Sequence, residues 1–131
     1  MAPETWTDRL VAAYSSGTAA QVGTLYTADC LRVEHAAPGA ELRGRDGVVQ
    51  QLTGYMHAVP DARLTVHRVV TEGAVRVVEW TFAGTHTGDL PGLPATNRPV
   101  ALHGVSICDM DGEQIREEQN YFDSSPLLGS V

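Results

Sequence analysis

Positive charge is what this 131-residue chain has least of relative to its opposite: nine Lys and Arg stand against 16 Asp and Glu, a formal net charge of −7. That balance repels phosphate backbones and anionic bilayers, so neither a nucleic acid nor a membrane is expected as a partner. Aromatic residues make up only 6%. Cysteine is scarcer still. Cys30 and Cys108 stand alone, with no Cys-x-x-Cys pair, which suits two reduced thiols in a cytoplasmic protein better than a disulfide scaffold. The five histidines show neither His-x-His nor His-Glu-x-x-His spacing, so no metal site is expected. The glycines of the 84–92 stretch have the wrong spacing for a phosphate loop and open no helix, so no nucleotide cofactor is expected either. No apolar run approaches the roughly 20 residues of a membrane span, and the N-terminus lacks the basic-then-apolar pattern of a signal peptide.

What is present is an ordinary globular composition, 43% hydrophobic, long enough for one domain over residues 1–131. The most informative stretch is Val75 to Asp123. There β-branched and aromatic runs are separated by Gly, Pro, Asn and Asp, which reads as three successive strands joined by a Gly/Pro loop and then a tight turn. Met110-Asp111-Gly112 suits a three-residue hairpin loop with its glycine in the left-handed position. That register sets Asp109 opposite Glu113, Leu102 opposite Asn120, Gly104 opposite Glu118 and Val100 opposite Phe122, the last six sharing one sheet face. A glycine inside a strand marks a close approach by something else, so Gly104 is expected to leave room beside Glu118 and Asn120.

Upstream, apolar residues at Trp6, Leu10, Val11 and Tyr14 predict a helix over Thr5–Tyr14, with Pro3 and Glu4 at its start and Ser15-Ser16-Gly17 at its end. Thr18 is a good N-cap for a second helix reaching Leu25 and Tyr26, and Asp29 is read as a turn. A strand over Leu31–His35 and a Pro38-Gly39 turn follow. A third helix runs from Val48 to about Val59, capped by Asp46 and burying Val49, Leu52, Tyr55 and Met56. Arg63–Thr71 and Ala74–His86 form a hairpin around Glu72-Gly73, and Leu127 and Leu128 are expected to pack a C-terminal tail. Helices first and antiparallel strands afterwards predict an α+β fold, with about three N-terminal helices on one face of a curved sheet.

Gly44-Arg45-Asp46-Gly47, Gly84-Thr85-His86-Thr87-Gly88, Leu93 to Arg98, Asp111-Gly112 with Ile115, and the closing Tyr121-Phe122-Asp123 with Leu127 and Leu128 resemble the SnoaL-like group. This group belongs to a nuclear-transport-factor-like superfamily with polyketide cyclases, limonene epoxide hydrolase and ketosteroid isomerase. The resemblance implies a cone with a deep apolar pocket, a homodimer, and a cofactor-free aldol closure of a polyketide-like small molecule by a pocket acid or base. Where many of those cyclases carry an acid, three residues before the aspartate of the ending, this chain has Asn120, whose amide donates and accepts but takes no proton at neutral pH. Where relatives often carry an arginine before the strand tryptophan, it has Glu79.

The ionisable role is therefore expected at Glu79, amid Val77, Val78, Trp80 and Phe82, or at Glu118, with Asn120 and His35 hydrogen-bonding the substrate. Strand alternation allows only one of Glu117 and Glu118 to face inward. Tyr14, Tyr55, Trp80, Phe82, Leu102, Gly104 and Phe122 are the expected lining. Asp123 is expected to cap the last segment, and His103 to lie on the face opposite Asn120. The function expected from this reading is cyclisation or isomerisation in secondary metabolism. Epoxide opening by two acids and non-catalytic small-molecule binding are the alternatives.

Overall fold

Both helices that begin the chain are started by a threonine. Ahead of α1 (Trp6–Ser16), the Thr5 hydroxyl accepts from Asp8 N at 3.0 Å and the Asp8 carboxylate accepts from Thr5 N at 3.1 Å. This reciprocal pair satisfies amides that the first helical turn leaves without partners. Ahead of α2 (Ala19–Gly23), Thr18 and Gln21 make the same exchange at 3.2 and 2.8 Å, as the sequence suggests for Thr18. The computed structural model describes residues 5–16, 18–36 and 40–128. The expectations for Pro3, Glu4, Gly17 and the Pro38-Gly39 turn, and for the packing of the Leu127 and Leu128 side chains, lie outside the described residues and side chains.

The second helix stops short of the expected Tyr26. Tyr26 opens β1 (Tyr26–Glu34) instead, fully buried beside Ile115 of the last strand, a pairing that outweighs local helix propensity. Asp29 is accordingly an exposed strand residue, within the stretch where β1 slips register against its neighbour between Tyr26 and Leu31. A short strand, β2 (Ala40–Arg43), folds back on β1. In α3 (Arg45–Ala58) the residue at the cap is Gly44, and Asp46 lies in the first turn, where its charge suits the helix N-terminus. Val48, Leu52 and Ala58 are its buried residues, with Val49, Tyr55 and Met56 packed partly against the core.

The remaining strands are β3 (Arg63–Glu72), β4 (Val75–Thr85), β5 (Pro99–Asp111) and β6 (Gln114–Phe122), followed by a single turn of helix, α4 (Ser125–Leu128). Six strands form one mixed sheet in the order β2-β1-β6-β5-β4-β3. Among the described residues only the β1–β6 contact is parallel; every other pair is antiparallel. Trp6 and Leu10 of α1, Val22 of α2 and Val48 and Leu52 of α3 pack with Leu64, Val78, Met110 and Ile115 of the sheet, so the helices cover one face. Between β4 and β5, fully buried His86 closes the connecting loop, its amide donating to Arg98 O and its carbonyl accepting from Asn97 N.

The β5–β6 hairpin corrects the expected register. Gly112 does have a positive φ of 59°, but its loop is the two residues Gly112-Glu113, flanked by the Asp111–Gln114 pair. One positive φ, at the first loop position, matches a type II′ turn. With a further shift between Asp109 and Met110, Ser106 pairs with Asn120, Cys108 with Glu118, Asp109 with Glu117 and Gly104 with Phe122. The sequence-based pairs are displaced by four residues. Because four is even, each side chain keeps its face, and Leu102, Glu118, Asn120 and Phe122 share the inner side as expected.

Candidate active site

The helices do not fill the inner face of the sheet completely. Under α1 and α3 lies a cavity of about 80 Å³. At roughly 10–15 Å³ for each water-sized centre, it holds several waters or one compact organic group. Its walls are mostly apolar, with Leu10, Leu52, Met56, Leu64 and Leu102 among them. Six of the chain's eight aromatic residues border it: Trp6, Tyr14, Tyr55, Trp80, Phe82 and Phe122.

Against this apolar lining the central strands present a single polar patch. Strand alternation turns Arg32 and Glu34 of β1, Ser106 and Cys108 of β5, and Glu118 and Asn120 of β6 inward together. Arg32 Nη1 donates to Glu118 Oε1, and to the hydroxyls of Tyr26 at 2.9 Å and Tyr14 at 3.4 Å. Its Nε donates to Gln51 Oε1 at 3.2 Å. Glu118 Oε1 also accepts from Tyr26 OH at 2.8 Å and from Asn120 Nδ2 at 3.0 Å. Only the Cys108 thiol, at 3.7 Å, approaches its other oxygen as a donor among the described residues.

Asn120 is oriented by a relay. Trp80 Nε1 donates to Ser106 Oγ at 2.9 Å, which commits the Ser106 hydroxyl hydrogen to Asn120 Oδ1 and leaves the amide nitrogen facing Glu118. Glu34 sits beside this cluster. Its Oε1 accepts from Tyr55 OH at 2.6 Å, and Arg32 Nη2 lies 3.8 Å from its Oε2. Burial opposes the charge of Arg32, but the phenols of Tyr26 and Tyr14 and the carboxylates of Glu118 and Glu34 outweigh it and hold the guanidinium charged. Burial likewise pushes the Tyr14, Tyr26 and Tyr55 phenols and the Cys108 thiol above their ordinary values, each reinforced by an adjacent carboxylate. These hydroxyls are therefore donors at neutral pH.

Of the residues expected at the site, Tyr14, Tyr55, Trp80, Phe82, Leu102, Glu118, Asn120 and Phe122 border the cavity. Glu79 does not. It lies on the outer face, its side chain 45% exposed and 3.7 Å from Arg68, because its strand neighbour Trp80 takes the inward position. His35 is also outside: it follows inward-facing Glu34, stacks on Tyr121 with centroids 4.4 Å apart, and sits 2.6 Å from Gln119. The room expected above Gly104 is occupied. A Cβ there would meet Trp80 Cζ2 at 2.5 Å and Phe122 Cβ at 2.8 Å, so the glycine admits the indole and not a ligand. His103 is exposed on the outer face as expected, and Asp123 accepts from Ser125 N at 2.9 Å at the start of α4.

Sequence reasoning missed Arg32, Glu34 and Ser106. In Leu31-Arg32-Val33-Glu34 the alternation is plain, but the apolar pair looks like the buried one. The signal lay in the matching spacing of Glu118 and Asn120, two charged-or-polar pairs that the parallel ladder sets side by side.

The family profile described as SnoaL-like polyketide cyclase matches residues 4–130. The chain belongs to that family. Among solved structures, a hypothetical protein with a ketosteroid isomerase-like fold from Catenulispora acidiphila, in complex with trimethylamine, is 24% identical with a TM-score of 0.77, covering 98% of this chain and 92% of that one. IdmH of Streptomyces antibioticus, a candidate polyketide cyclase, is 22% identical with a TM-score of 0.77, covering 94% and 93%. AclR of Streptomyces galilaeus, a candidate hydroxylase, is 22% identical with a TM-score of 0.80, covering 94% and 76%. No curated protein matches. At these identities the structures show that this SnoaL-like chain has the ketosteroid isomerase-like cone, and a general cyclase or isomerase role follows from the family.

Proposed function

We propose that this SnoaL-like protein is a cofactor-independent cyclase or isomerase of secondary metabolism, closing a ring in an apolar, carbonyl-containing, polyketide-like substrate by acid–base chemistry. One observation carries the proposal: a buried cluster of one guanidinium, two carboxyls and several hydroxyl and amide donors opens on an otherwise apolar, aromatic-lined cavity. A carboxyl of that wall takes a proton from the carbon beside a carbonyl. The carbonyl oxygen, becoming an enolate, lies against the amide donor of Asn120, which keeps a second N–H beside the one given to Glu118 and is held in place before the charge develops. Preorganised donors of this kind contribute on the order of 10²–10³ in rate each.

Ring closure of a linear poly-carbonyl thioester, followed by liquid chromatography and mass spectrometry, tests the reading. An aldol closure leaves the mass unchanged, and subsequent dehydration removes one water. Binding of the product without turnover would sink it in favour of an accessory protein. Epoxide opening is the second reading, favoured by two carboxyls in one wall, Glu34 and Glu118, since one can activate the nucleophile and the other protonate the epoxide. Oxygen from labelled solvent water in the product identifies it. Assembly as a cytoplasmic homodimer belongs to the same proposal. It is supported by exposed Ile107 and Tyr121 on the outer sheet face and checked by sedimentation.

A further inference from the structure

The two carboxyls of the cavity wall are not equivalent. Glu118 collects three donors on one oxygen, from Arg32, Tyr26 and Asn120, so it serves as counter-ion to the buried guanidinium and anchor for the amide. Among the described residues Glu34 has one hydrogen-bond donor, the Tyr55 hydroxyl, on Oε1. Its Oε2 is buried and has no hydrogen-bond partner among the described residues, and the Arg32 nitrogen at 3.8 Å is beyond hydrogen-bonding reach. The residue is 5% exposed, borders the cavity, and stands directly opposite Asn120 in the parallel β1–β6 ladder.

A buried carboxyl oxygen without a donor is a standing cost that folding alone does not explain. Three features fit it to proton transfer: a carboxyl oxygen without a donor on a residue that borders the cavity, a Tyr55 hydroxyl that holds the other oxygen, and an amide donor one strand away. We propose that Glu34 is the catalytic residue that exchanges a proton with substrate carbon, and that Tyr55 is the positioning residue that holds it. This rests on the acid–base reading above and names the group that performs it.

The step balances without any co-reactant. Glu34 Oε2 takes the proton from the carbon beside the carbonyl, the C–H electron pair forms the enolate C=C bond, and the carbonyl π pair moves onto the oxygen facing Asn120. The enolate carbon then attacks a second carbonyl carbon of the same chain. The C–C bond forms, the first carbonyl is restored, and Glu34 returns its proton to the new alkoxide.

A probe that needs only a base tests the assignment apart from any natural substrate. In nitrobenzisoxazole, removal of the ring-carbon proton breaks the N–O bond and releases a coloured cyanophenolate. The wild-type protein is expected to open this ring faster than the same concentration of free acetate, and Glu34→Gln to lose about 100-fold of that rate. Glutamine keeps an acceptor for Tyr55, so the variant is expected to fold, as circular dichroism and a melt will verify. Glu34→Asp should recover part of the loss, Tyr55→Phe should lower kcat with little change in KM, and Glu79→Gln on the outer face should match wild type.

A Glu34→Gln rate equal to wild type, a loss confined to Glu118→Gln, or a wild-type rate no higher than that of acetate overturns the assignment. The two readings fail separately. Ring opening that depends on Glu34 while no carbonyl substrate cyclises removes the cyclase and leaves the base; ring closure undiminished in Glu34→Gln does the reverse.

Discussion

Glu117 and Glu118, Glu79 and Trp80, and Glu34 and His35 are sequence neighbours, yet in each pair one member lies on the solvent side of the sheet and the other against the helices. On the outer face, charged and aromatic groups meet in loose pairs: Glu79 with Arg68, and His35 stacked on Tyr121. On the inner face the same residue types are sealed into a network in which nearly every donor has a named acceptor. Chemical identity is the same on both sides; what differs is the dielectric and the number of fixed partners. A carboxylate facing water loses little when its partner goes, and one facing the cavity has nothing else to turn to.

The largest effect that could break this contrast is loss of the buried cation. Arg32→Met should cost about 3–5 kcal/mol in urea denaturation, because Glu118 and Glu34 would be left without their counter-ion, whereas Arg68→Met on the outer face should change stability by less than about 0.5 kcal/mol. Equal costs would mean that the two faces do not differ as described. Next comes packing. Gly104→Ala should cost about 1–3 kcal/mol, since its methyl group would displace the Trp80 indole from Ser106, and near-ultraviolet circular dichroism should register the indole's movement.

A smaller effect follows from the phenols. For Tyr14, Tyr26 and Tyr55 the folded state holds the proton more tightly than the unfolded chain, whose phenols ionise near 10.0. Their contribution to stability is therefore complete below that value and is lost as pH rises above it. Phenolate absorbance from these residues should appear together with unfolding, not before it. The smallest effect is kinetic. Burial pushes the Cys30 and Cys108 thiols up, so iodoacetamide at mildly alkaline pH should label them only when the chain is unfolded.

The α+β order and the parity of the last two strands were legible because turn residues and alternation survive an error in loop length. Gly112 marks its turn whether two or three residues span it, and a displacement by four leaves Glu118 and Asn120 on their expected side. Glu79 was misplaced for a related reason. Val77, Val78, Trp80 and Phe82 put apolar groups on both sides of β4, so composition could not say which side faced the helices. Glu34 and Arg32 were hidden more deeply. Their inward direction depends on a parallel contact with a strand over 80 residues downstream, which no local window contains.

That contact also orders events during synthesis. Arg32 and Glu118 are 86 positions apart, so a nascent chain makes the arginine long before the carboxylate that neutralises it has left the ribosome. Until β6 docks, Arg32 has Glu34, 3.8 Å away on its own strand, but not Glu118 to offset its charge, so sealing β1 under the helices is costly. Docking of the final strand supplies the second carboxylate and the β6 wall of the cavity in one move, so the charge pair and the chamber are completed by the same loop closure.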